Sequence, residues 1–240
     1  MPAEAAPSYL WVPGLGEAVD FVELSPEESH YLARVCRARE GDRAVATDGR
    51  GALATLRVLS LGSRVRAAIE TLERPPSAAP RRRAWILCGA PEDQRGDWLV
   101  EKLAELGVEV WQPIECARAR WRFSSGTLAR WQRLAVAALR QSRRRYIVEV
   151  RPPAPLAEVA SGLPAGAACW MADPDGQRGA PPSEGMGWTV GAIGPSKGFD
   201  PGEKDLLEGR AFKPICLSDG RLRTETAAVA WAAWWGRGSG

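Results

Sequence analysis

The sequence contains a single histidine, His30, among 240 residues. A Ser-His-Asp triad or a histidine-rich metal site would have to be built around this one side chain. His30 lies in SPEESHYLARVCR, a predicted helix that begins at Ser25-Pro26 with Glu28 at the capping-box position. We therefore expect a structural or surface role for His30 and predict no metal site.

Paired cysteines and long apolar runs are also absent. The five cysteines are scattered and no two form C-x-x-C, so we expect reduced thiols rather than a disulfide or zinc site. No apolar run approaches the roughly 18 residues of a membrane span. The stretch MPAEAAPSYLWVP has neither the basic start nor the apolar core of a signal peptide. The sequence therefore predicts a cytoplasmic protein.

Three stretches resemble ligand-binding loops without completing them. In GAIGPSKGFDPGEK (191–204), Phe199 and Asp200 stand where a nucleotide phosphate loop needs Lys and a hydroxyl residue. GLGEAV (14–19) has two of the three glycines of a dinucleotide fingerprint and no βαβ unit after it. DPDGQRGAPPSE (173–184) has Arg178 where a calcium loop requires glycine, so we predict a turn.

The charge pattern shows one strong asymmetry. The net charge is only +3, yet residues 118–148 contain nine arginines and no acidic residue. Arginines neutralise phosphates, and Trp121, Phe123 and Trp131 in the same stretch could stack on unpaired bases. A solvated helix face is the alternative interpretation, but the missing acids favour RNA binding.

The chain divides into two differently patterned parts. YLWVP, DRAVATDGRG, ALATLRVLS and RVRAAIETLE read as short strands separated by turns, as in a small barrel. The Pro/Ala-rich connector PPSAAPRRR then predicts a domain boundary near residue 80. Beyond it strands alternate with helices, which predicts an α/β domain with a parallel sheet. One of these helices is DWLVEKLAELG, with Asp97 as N-cap and Gly107 as the stop.

Two strand–loop–helix junctions stand out in the C-terminal half. In TVGAIG-PSKGF-DPGEKDLL, Asp200 is the predicted N-cap and Glu203 completes a capping box. In PICLS-DGRLR-TETAAVAWAAWW, Thr224 is the predicted N-cap and Glu225 lies near the positive end of the helix dipole. Ligands of open α/β sheets bind outside the carboxyl ends of strands, where these loops lie.

Together these stretches resemble the RsmE family of SPOUT-class methyltransferases, which modify N3 of a uridine in small-subunit ribosomal RNA with S-adenosylmethionine. HYLARVCRAREGDRAVATDGRG resembles the family's PUA-like RNA-binding barrel, and EKLAELGVEVWQPIECARAR its EKxxELG segment. RWQRLAVAALRQSRR matches the family's RW-helix. AIGPSKGF corresponds to the IGPEGGF loop and LSDGRLRTETA to the LGxRILRxETA loop.

The resemblance implies a specific architecture. Residues 1–76 would form the PUA-like β-barrel, and residues 81–240 the SPOUT domain with a parallel α/β sheet and a C-terminal trefoil knot. Such a knot is an exception to the rule that chains do not thread loops. The family also implies a homodimer with the active site near the subunit interface, and binding of S-adenosylmethionine by loops 194–199 and 217–226. The alternatives are a SPOUT methyltransferase that acts on another RNA position, and a non-catalytic RNA-binding or ribosome-assembly factor.

The resemblance further assigns roles to individual residues. Arg223 is the candidate for stabilising the uridine anion or orienting the base; Glu225 is either the proton acceptor or a structural residue of the helix start. The residues expected to bind S-adenosylmethionine are Ile193, Gly194, Pro195, Gly198, Phe199, Leu217, Ser218, Leu222, Arg223, Thr224 and Thr226. The residues expected to bind RNA are Arg118, Arg120, Arg122, Arg143, Arg144, Lys102, Gln141 and Ser142. An exposed helix face accounts equally well for Lys102.

The chain departs from the family pattern in both loops. Ser196-Lys197 replaces the family's Glu-Gly, and Lys197 would be strained if its backbone had to adopt a positive φ. Asp219-Gly220 replaces more apolar or proline-containing residues. The first 80 residues are acidic, with nine Arg against eleven Asp and Glu, which is unexpected for an RNA-binding barrel.

Overall fold

A computed structural model describes residues 7–18, 20–76, 81–93, 95–179 and 187–237. The predicted boundary near residue 80 lies outside these ranges, as do residues 1–6 of the N-terminal stretch. The described residues form two compact units, each with its own hydrophobic core. The first unit contains the residues up to 76 together with Leu139–Ile147, and the second contains the remainder.

The first unit is built on a five-stranded sheet. Its strands are β1 (Ser8–Trp11), β2 (Phe21–Glu23), β3 (Arg43–Thr47), β4 (Leu53–Ser60) and β5 (Arg66–Glu73). They are ordered β1-β3-β4-β5-β2, with β1 parallel to β3 and the other neighbours antiparallel. Inward residues such as Leu10, Leu56 and Val58 alternate with more exposed ones, because successive side chains of a strand point to opposite faces.

A short helix, α1 (Pro26–His30), follows β2 and continues as a π-helical turn, Tyr31–Val35. The Ser25 hydroxyl accepts a hydrogen bond of 3.2 Å from the Glu28 amide, as predicted for the N-cap. The predicted capping box is wrong, because the buried Glu28 carboxylate instead accepts from the Trp11 amide at 3.2 Å and from Arg140 at 2.9 Å. Burial raises the pKa of Glu28, although Arg140 opposes that effect.

Residues 139–147 pack on this first unit. The Thr47 hydroxyl donates to the Arg145 carbonyl at 3.0 Å, and the Ile147 amide donates to the Gly49 carbonyl at 3.0 Å. The Tyr9 hydroxyl donates to the Arg144 carbonyl at 3.0 Å. The arginines of this segment are therefore described with the first unit, although the sequence placed them in the domain 81–240.

The second unit contains a sheet whose paired strands are all parallel. Its strands are β6 (Arg82–Cys88), β7 (Val110–Glu115), β8 (Glu149–Val150), β9 (Ala154–Pro155), β10 (Ala168–Gln177), β11 (Gly187–Ile193) and β12 (Lys213–Ile215). The order is β12-β10-β11-β6-β7-β8, with β9 also paired to β7. A small β unit followed by a parallel α/β unit confirms the predicted fold class, and the trefoil knot stays a prediction.

Five further helices connect or cover these strands. They are α2 (Gly96–Glu105), α3 (Ser125–Ser142), α4 (Leu156–Ser161), α5 (Pro201–Gly209) and α6 (Thr224–Gly236). Within the described ranges, none of the helices has the length and apolar character needed to cross a membrane.

Two of the predicted aromatic base-stacking residues belong to the core of the second unit. Trp121 and Trp131 are 7% and 2% exposed, and both rings pack against the fully buried Trp111. Phe123 is 37% exposed and lies against Trp131 with ring centroids 5.8 Å apart. The stacking hypothesis is therefore wrong for Trp121 and Trp131, because their rings are already enclosed.

Helix starts were predicted with mixed success. Asp200 and Glu203 form the predicted capping box of α5, with both hydrogen bonds at 2.8 Å. At α2 the predicted N-cap Asp97 is wrong; it lies in the first turn, and its carboxylate accepts from the Trp131 indole at 2.9 Å. At α6 the N-cap position is Arg223, and Thr224 is the first helical residue.

The packing of α6 on the sheet depends on one glycine. A Cβ at Gly191 of β11 would lie 2.3 Å from the ring of Trp231, which is fully buried in α6. Only glycine lets the indole approach the strand this closely. This contact fixes α6 against the sheet and therefore fixes where its first turn, which contains Thr224 and Glu225, is placed.

Candidate functional site

The loop after β11 is a tight turn whose glycine lies at its end. The Gly198 amide donates to the Pro195 carbonyl at 2.7 Å, and Gly198 has a φ of 71°. Among the described residues, the non-glycine residues with positive φ are Arg37, Arg143 and Ala211, and Lys197 is not one of them. The strain considered for Lys197 therefore does not arise, because Gly198 adopts the left-handed conformation.

Two arginines from other segments hold the tip of this loop. Arg221, after β12, donates to the Ser196 carbonyl at 2.8 Å, and Arg118, after β7, donates to the Lys197 carbonyl at 3.1 Å. Both bonds go to main-chain oxygens. The loop is therefore held without using the side chains of Ser196 and Lys197.

Glu203 connects the same region to the loop after β7. One carboxylate oxygen accepts from the Asp200 amide in the capping box, and the other accepts from the Ala117 amide at 2.8 Å. A single side chain thus joins the start of α5 to the segment that contains Arg118. Charge-assisted hydrogen bonds of this kind are stronger than bonds between neutral groups.

Strand β10 has a bulge at its C-terminal end. Ala172 and Gln177 both pair with Ile215 of β12, so the four residues between them have no register partner in that strand. The Asp175 amide donates to the Asp173 carboxylate at 3.0 Å, which closes the bulge as an Asx turn. The turn predicted over 173–184 is therefore present at Asp173–Asp175, but as a bulge within β10, which continues to Gln177; residues 180–184 lie outside the described ranges.

Asp173 is buried and ionised at this bulge. Its side chain is 8% exposed, and Lys204 of α5 approaches its carboxylate to 2.5 Å. Burial alone would raise the pKa of Asp173, but the hydrogen bonds from Lys204 and from the Asp175 amide, together with the Lys204 charge, lower it. The bulge therefore presents a carboxylate that is neutralised by an ammonium group.

These loops enclose a cavity of about 480 Å³, named here the larger cavity. Its volume is in the range typical of small-molecule sites. The predicted residues that line it are Ile193, Gly194, Pro195, Gly198, Phe199, Leu217, Ser218, Leu222 and Thr224. Arg223 does not line it, and Thr226 is exposed on the helix and lines neither of the two cavities described.

A second cavity of about 380 Å³, the smaller cavity, adjoins the first. Arg223 and Glu225, the two catalytic candidates, both line it, together with Glu92 and Asp93. The walls that the two cavities share are formed by Ser196, Lys197, Arg221, Leu222 and Thr224. The structure thus separates the predicted residues into two groups that meet at one boundary.

The two catalytic candidates have different environments. Arg223 has a side chain that is 68% exposed, and its guanidinium lies 3.4 Å from the Asp93 carboxylate. Glu225 is 5% exposed, in the first turn of α6, with Arg95 at 3.6 Å. An exposed guanidinium and a buried carboxylate thus line the same cavity.

Thr224 forms the boundary between the cavities and carries an unsatisfied polar atom. The residue is 4% exposed, and its hydroxyl oxygen has no hydrogen-bond partner within the part of the chain that the structure describes. Buried hydroxyl groups without a partner cost free energy. Thr224 lines both cavities, so this unsatisfied group lies in the wall of the site.

The residues predicted to bind RNA are distributed over both units. Arg118 lines the larger cavity, and Arg120 is 79% exposed with Glu115 at 3.5 Å. Arg122 is exposed after β7, Arg143 and Arg144 are exposed in the first unit, and Gln141 is exposed on α3. Lys102 pairs with Glu105 at 2.7 Å on α2, and the Ser142 hydroxyl donates to the Leu139 carbonyl at 3.5 Å.

Sequence reasoning missed several residues of the site. Asp93 and Arg95 lie after β6, where a third strand–loop–helix junction was visible in the sequence without a recognisable motif. Asp173 belongs to a segment weighed only as a calcium loop. Lys204 and Arg221 act across loops, and nothing in their local sequence indicates those contacts. In the described parts of the chain, no group of three or more His, Cys, Asp or Glu residues has a metal-binding arrangement.

Comparison with known proteins assigns the family. Residues 78–236 match the family model of the RNA methyltransferase domain, and residues 24–66 match that of the RNA methyltransferase PUA domain. The chain is 28% identical to ribosomal RNA small subunit methyltransferase E of Synechocystis sp. over 86% of this chain and 69% of the relative. The protein of the same name from Mycobacterium tuberculosis is 29% identical over 85% and 81%, respectively.

A solved structure has the same fold. The crystal structure of a ribosomal RNA small subunit methyltransferase E from Neisseria gonorrhoeae, bound to S-adenosyl methionine, superimposes with a TM-score of 0.82. It is 26% identical to this chain and covers 95% of this chain and 96% of its own. These matches confirm the resemblance that the motifs indicated, and the chain belongs to the RNA methyltransferase family.

Proposed function

We propose that this protein transfers a methyl group from S-adenosylmethionine to N3 of a uridine in small-subunit ribosomal RNA. The observation that carries the proposal is the pair of adjoining cavities at the carboxyl ends of parallel strands. The larger one is lined by glycines and apolar residues together with charged side chains such as Asp173 and Lys204. The smaller one is lined by both Arg223 and Glu225. The relatives named for this activity support the substrate class.

The larger cavity fits the adenosine part of the donor. Gly198 and Gly220 line it, and a Cβ at either position would meet nothing within 4 Å, so open space lies where side chains would project. A flat heterocycle can therefore approach the backbone amides and carbonyls directly. Ile193, Leu217 and Leu222 supply apolar contacts, and the Thr224 hydroxyl is available as a polar partner.

The smaller cavity suits the acceptor base. S-adenosylmethionine supplies an electrophilic methyl group on a sulfonium, so the protein must align the acceptor and manage one proton. Uridine N3 carries that proton and is a weak nucleophile until it leaves. Glu225 accepts the N3 proton in this proposal, and the Arg223 guanidinium stabilises the anion that develops on the base.

The remaining assignments follow the same proposal. Residues 1–76 act as the PUA-like RNA-binding domain and residues 81–240 as the methyltransferase domain. The exposed Arg120, Arg122, Arg143 and Arg144 contact phosphates, because guanidinium groups pair well with them. The enzyme acts as a homodimer, which multi-angle light scattering of the purified protein tests.

Two measurements test the proposal in sequence. Isothermal titration calorimetry with S-adenosylmethionine measures donor binding first. Small-subunit ribosomal RNA from cells that lack the gene is then incubated with protein and donor, digested, and analysed by mass spectrometry for 3-methyluridine.

The two measurements separate different failures. No donor binding at near-millimolar concentration would reject the enzyme and leave an RNA-binding protein. Donor binding with a methyl group at another RNA position would retain the methyltransferase and reject the uridine-N3 assignment. Gain of 3-methyluridine at one position supports the proposal in full.

A further inference from the structure

The bulge of β10 presents polar groups that the proposed chemistry does not use. Among the residues that the structure describes, Lys204 and the Asp175 amide each donate a hydrogen bond to Asp173, one to each carboxylate oxygen. A carboxylate offers about four acceptor sites, so about two remain. Because Asp173 lines the larger cavity and is 8% exposed, a ligand in that cavity is the natural donor for these sites.

The position of Asp173 indicates which part of a donor molecule it meets. Asp173 and Lys204 line only the larger cavity, whereas the walls shared with the smaller cavity are formed by residues such as Arg221 and Thr224. The transferable methyl group must lie at the shared walls to reach the acceptor base. The nucleoside part of the donor is therefore the part next to Asp173.

The charge of the pair indicates the chemical group. Lys204, at 2.5 Å, already neutralises Asp173, and its ammonium would repel the amino-acid ammonium of a ligand placed at the same carboxylate. Neutral hydroxyl groups have no such conflict. They donate to the free carboxylate sites and accept from Lys204, so a vicinal diol complements both partners.

We propose that Asp173, assisted by Lys204, binds the ribose hydroxyls of the methyl donor. This inference rests on the proposed function, since it assumes that the larger cavity takes an adenosine derivative. It adds a buried carboxylate contact to a cavity whose walls also contain glycines and apolar residues. Asp173 is thus a donor-specificity residue and takes no part in the methyl transfer itself.

Calorimetry with a set of three ligands tests the assignment. S-adenosylhomocysteine contains the amino acid and the ribose diol, 5′-methylthioadenosine contains only the diol, and 2′,3′-dideoxy-5′-methylthioadenosine contains neither. We expect Asp173→Asn to lower the affinity for the first two ligands equally, by about tenfold, because each ligand loses a hydrogen bond to a charged group. The dideoxy ligand should bind wild type and variant alike.

A matched control and a variant-free measurement accompany this test. Asp205→Asn removes the same charge from an exposed residue of α5 that lines neither cavity, and it should leave all three affinities within about twofold. Comparison of 5′-methylthioadenosine with its dideoxy form on wild-type protein needs no variant, and removal of the hydroxyls should weaken binding by about tenfold.

The outcomes that overturn the proposal are distinct. If Asp173→Asn lowers the affinity for S-adenosylhomocysteine alone, Asp173 contacts the amino-acid part of the donor instead of the ribose. Unchanged affinity of Asp173→Asn, with normal binding by wild type, would remove Asp173 from the donor site while the proposed function stands. If wild type binds neither S-adenosylmethionine nor S-adenosylhomocysteine, the proposed function fails together with this inference.

Discussion

Arg221 donates a hydrogen bond of 2.8 Å to the carbonyl oxygen of Ser196. The bond joins the loop after β12 to the loop after β11, and both loops line the two cavities. Arg118 makes the equivalent contact with the next carbonyl, that of Lys197, at 3.1 Å. The shape of the site therefore depends on guanidinium groups that are remote in sequence from the loop they hold.

Replacement of Arg221 should weaken donor binding. Arg221→Met keeps most of the side-chain length and loses the hydrogen bond to Ser196, so we expect about a tenfold rise in the Kd for S-adenosylhomocysteine by calorimetry. Arg210→Met is the matched control, because Arg210 donates to the Ala160 carbonyl at 3.0 Å outside both cavity walls. Equal effects of the two variants would mean that the contact serves only general stability.

Gly198 and Lys197 should differ in their tolerance of alanine. Gly198 has a φ of 71°, so Gly198→Ala forces a Cβ into the left-handed region and should lower the free energy of unfolding by about 1–2 kcal/mol. Lys197→Ala should change it by less than about 0.5 kcal/mol, because Lys197 is held through its carbonyl. Urea unfolding measures both, and a larger loss for Lys197→Ala would contradict the description of the turn.

Removal of the Arg223 guanidinium should affect turnover alone. Arg223→Ala should lower kcat by about 100-fold or more, as for removal of a group that stabilises a developing anion. Its side chain is 68% exposed, so the free energy of unfolding should change by less than about 0.5 kcal/mol. The Kd for S-adenosylhomocysteine should also be retained. Near-normal turnover of the variant would exclude Arg223 from the chemistry.

Substitutions at Arg118 and Arg120 should affect RNA binding and donor binding differently. Arg120 is 79% exposed, so Arg120→Gln should weaken RNA binding and leave donor binding unchanged. The slope of log K for RNA binding against log salt concentration should become shallower by about one unit, because one phosphate contact is lost. Arg118→Gln should also weaken donor binding, because Arg118 donates a hydrogen bond to the Lys197 carbonyl in the cavity wall. Filter binding at several salt concentrations and calorimetry measure the two effects, and unchanged donor affinity of Arg118→Gln would refute the assignment.

The contribution of Asp173 to stability should depend on pH. The pKa of Asp173 is lowered in the folded protein. The ion pair with Lys204 therefore stabilises the fold fully at pH values above the pKa of the unfolded state, about 4. This stabilisation is lost as the pH falls through the lower pKa of the folded state. Asp173→Asn should cost about 1–2 kcal/mol near neutral pH, and the difference from wild type should shrink at about pH 3. Urea unfolding at both pH values checks this, with Asp175→Asn as control. A constant difference would disprove the charge-dependent role.

Local sequence signals predicted the elements and most of the larger cavity. Strand and helix patterns, the Asp200–Glu203 capping box and the two glycine-containing loops are encoded within a few residues, so they could be read directly. The nine predicted donor residues that line the larger cavity follow from their places in these loops. Thr226 was included because it belongs to the same motif, but it faces outward on α6.

Contacts between distant segments could not be read in this way. The N-caps of α2 and α6 differ from prediction because Asp97 binds Trp131, and because Thr224 is enclosed between the cavities. Trp121 and Trp131 look like base-stacking residues in a basic segment, yet Trp111 packs against both. In each case the partner lies on another element, and only the fold brings it near.

The walls at Gly198 and Gly220 have a consequence for how such proteins diverge. Where amides, carbonyls and empty Cβ positions face the cavity, selection acts on the path of the chain and only weakly on neighbouring side chains. Ser196-Lys197 and Asp219 can then replace the usual residues of the family while the cavity persists.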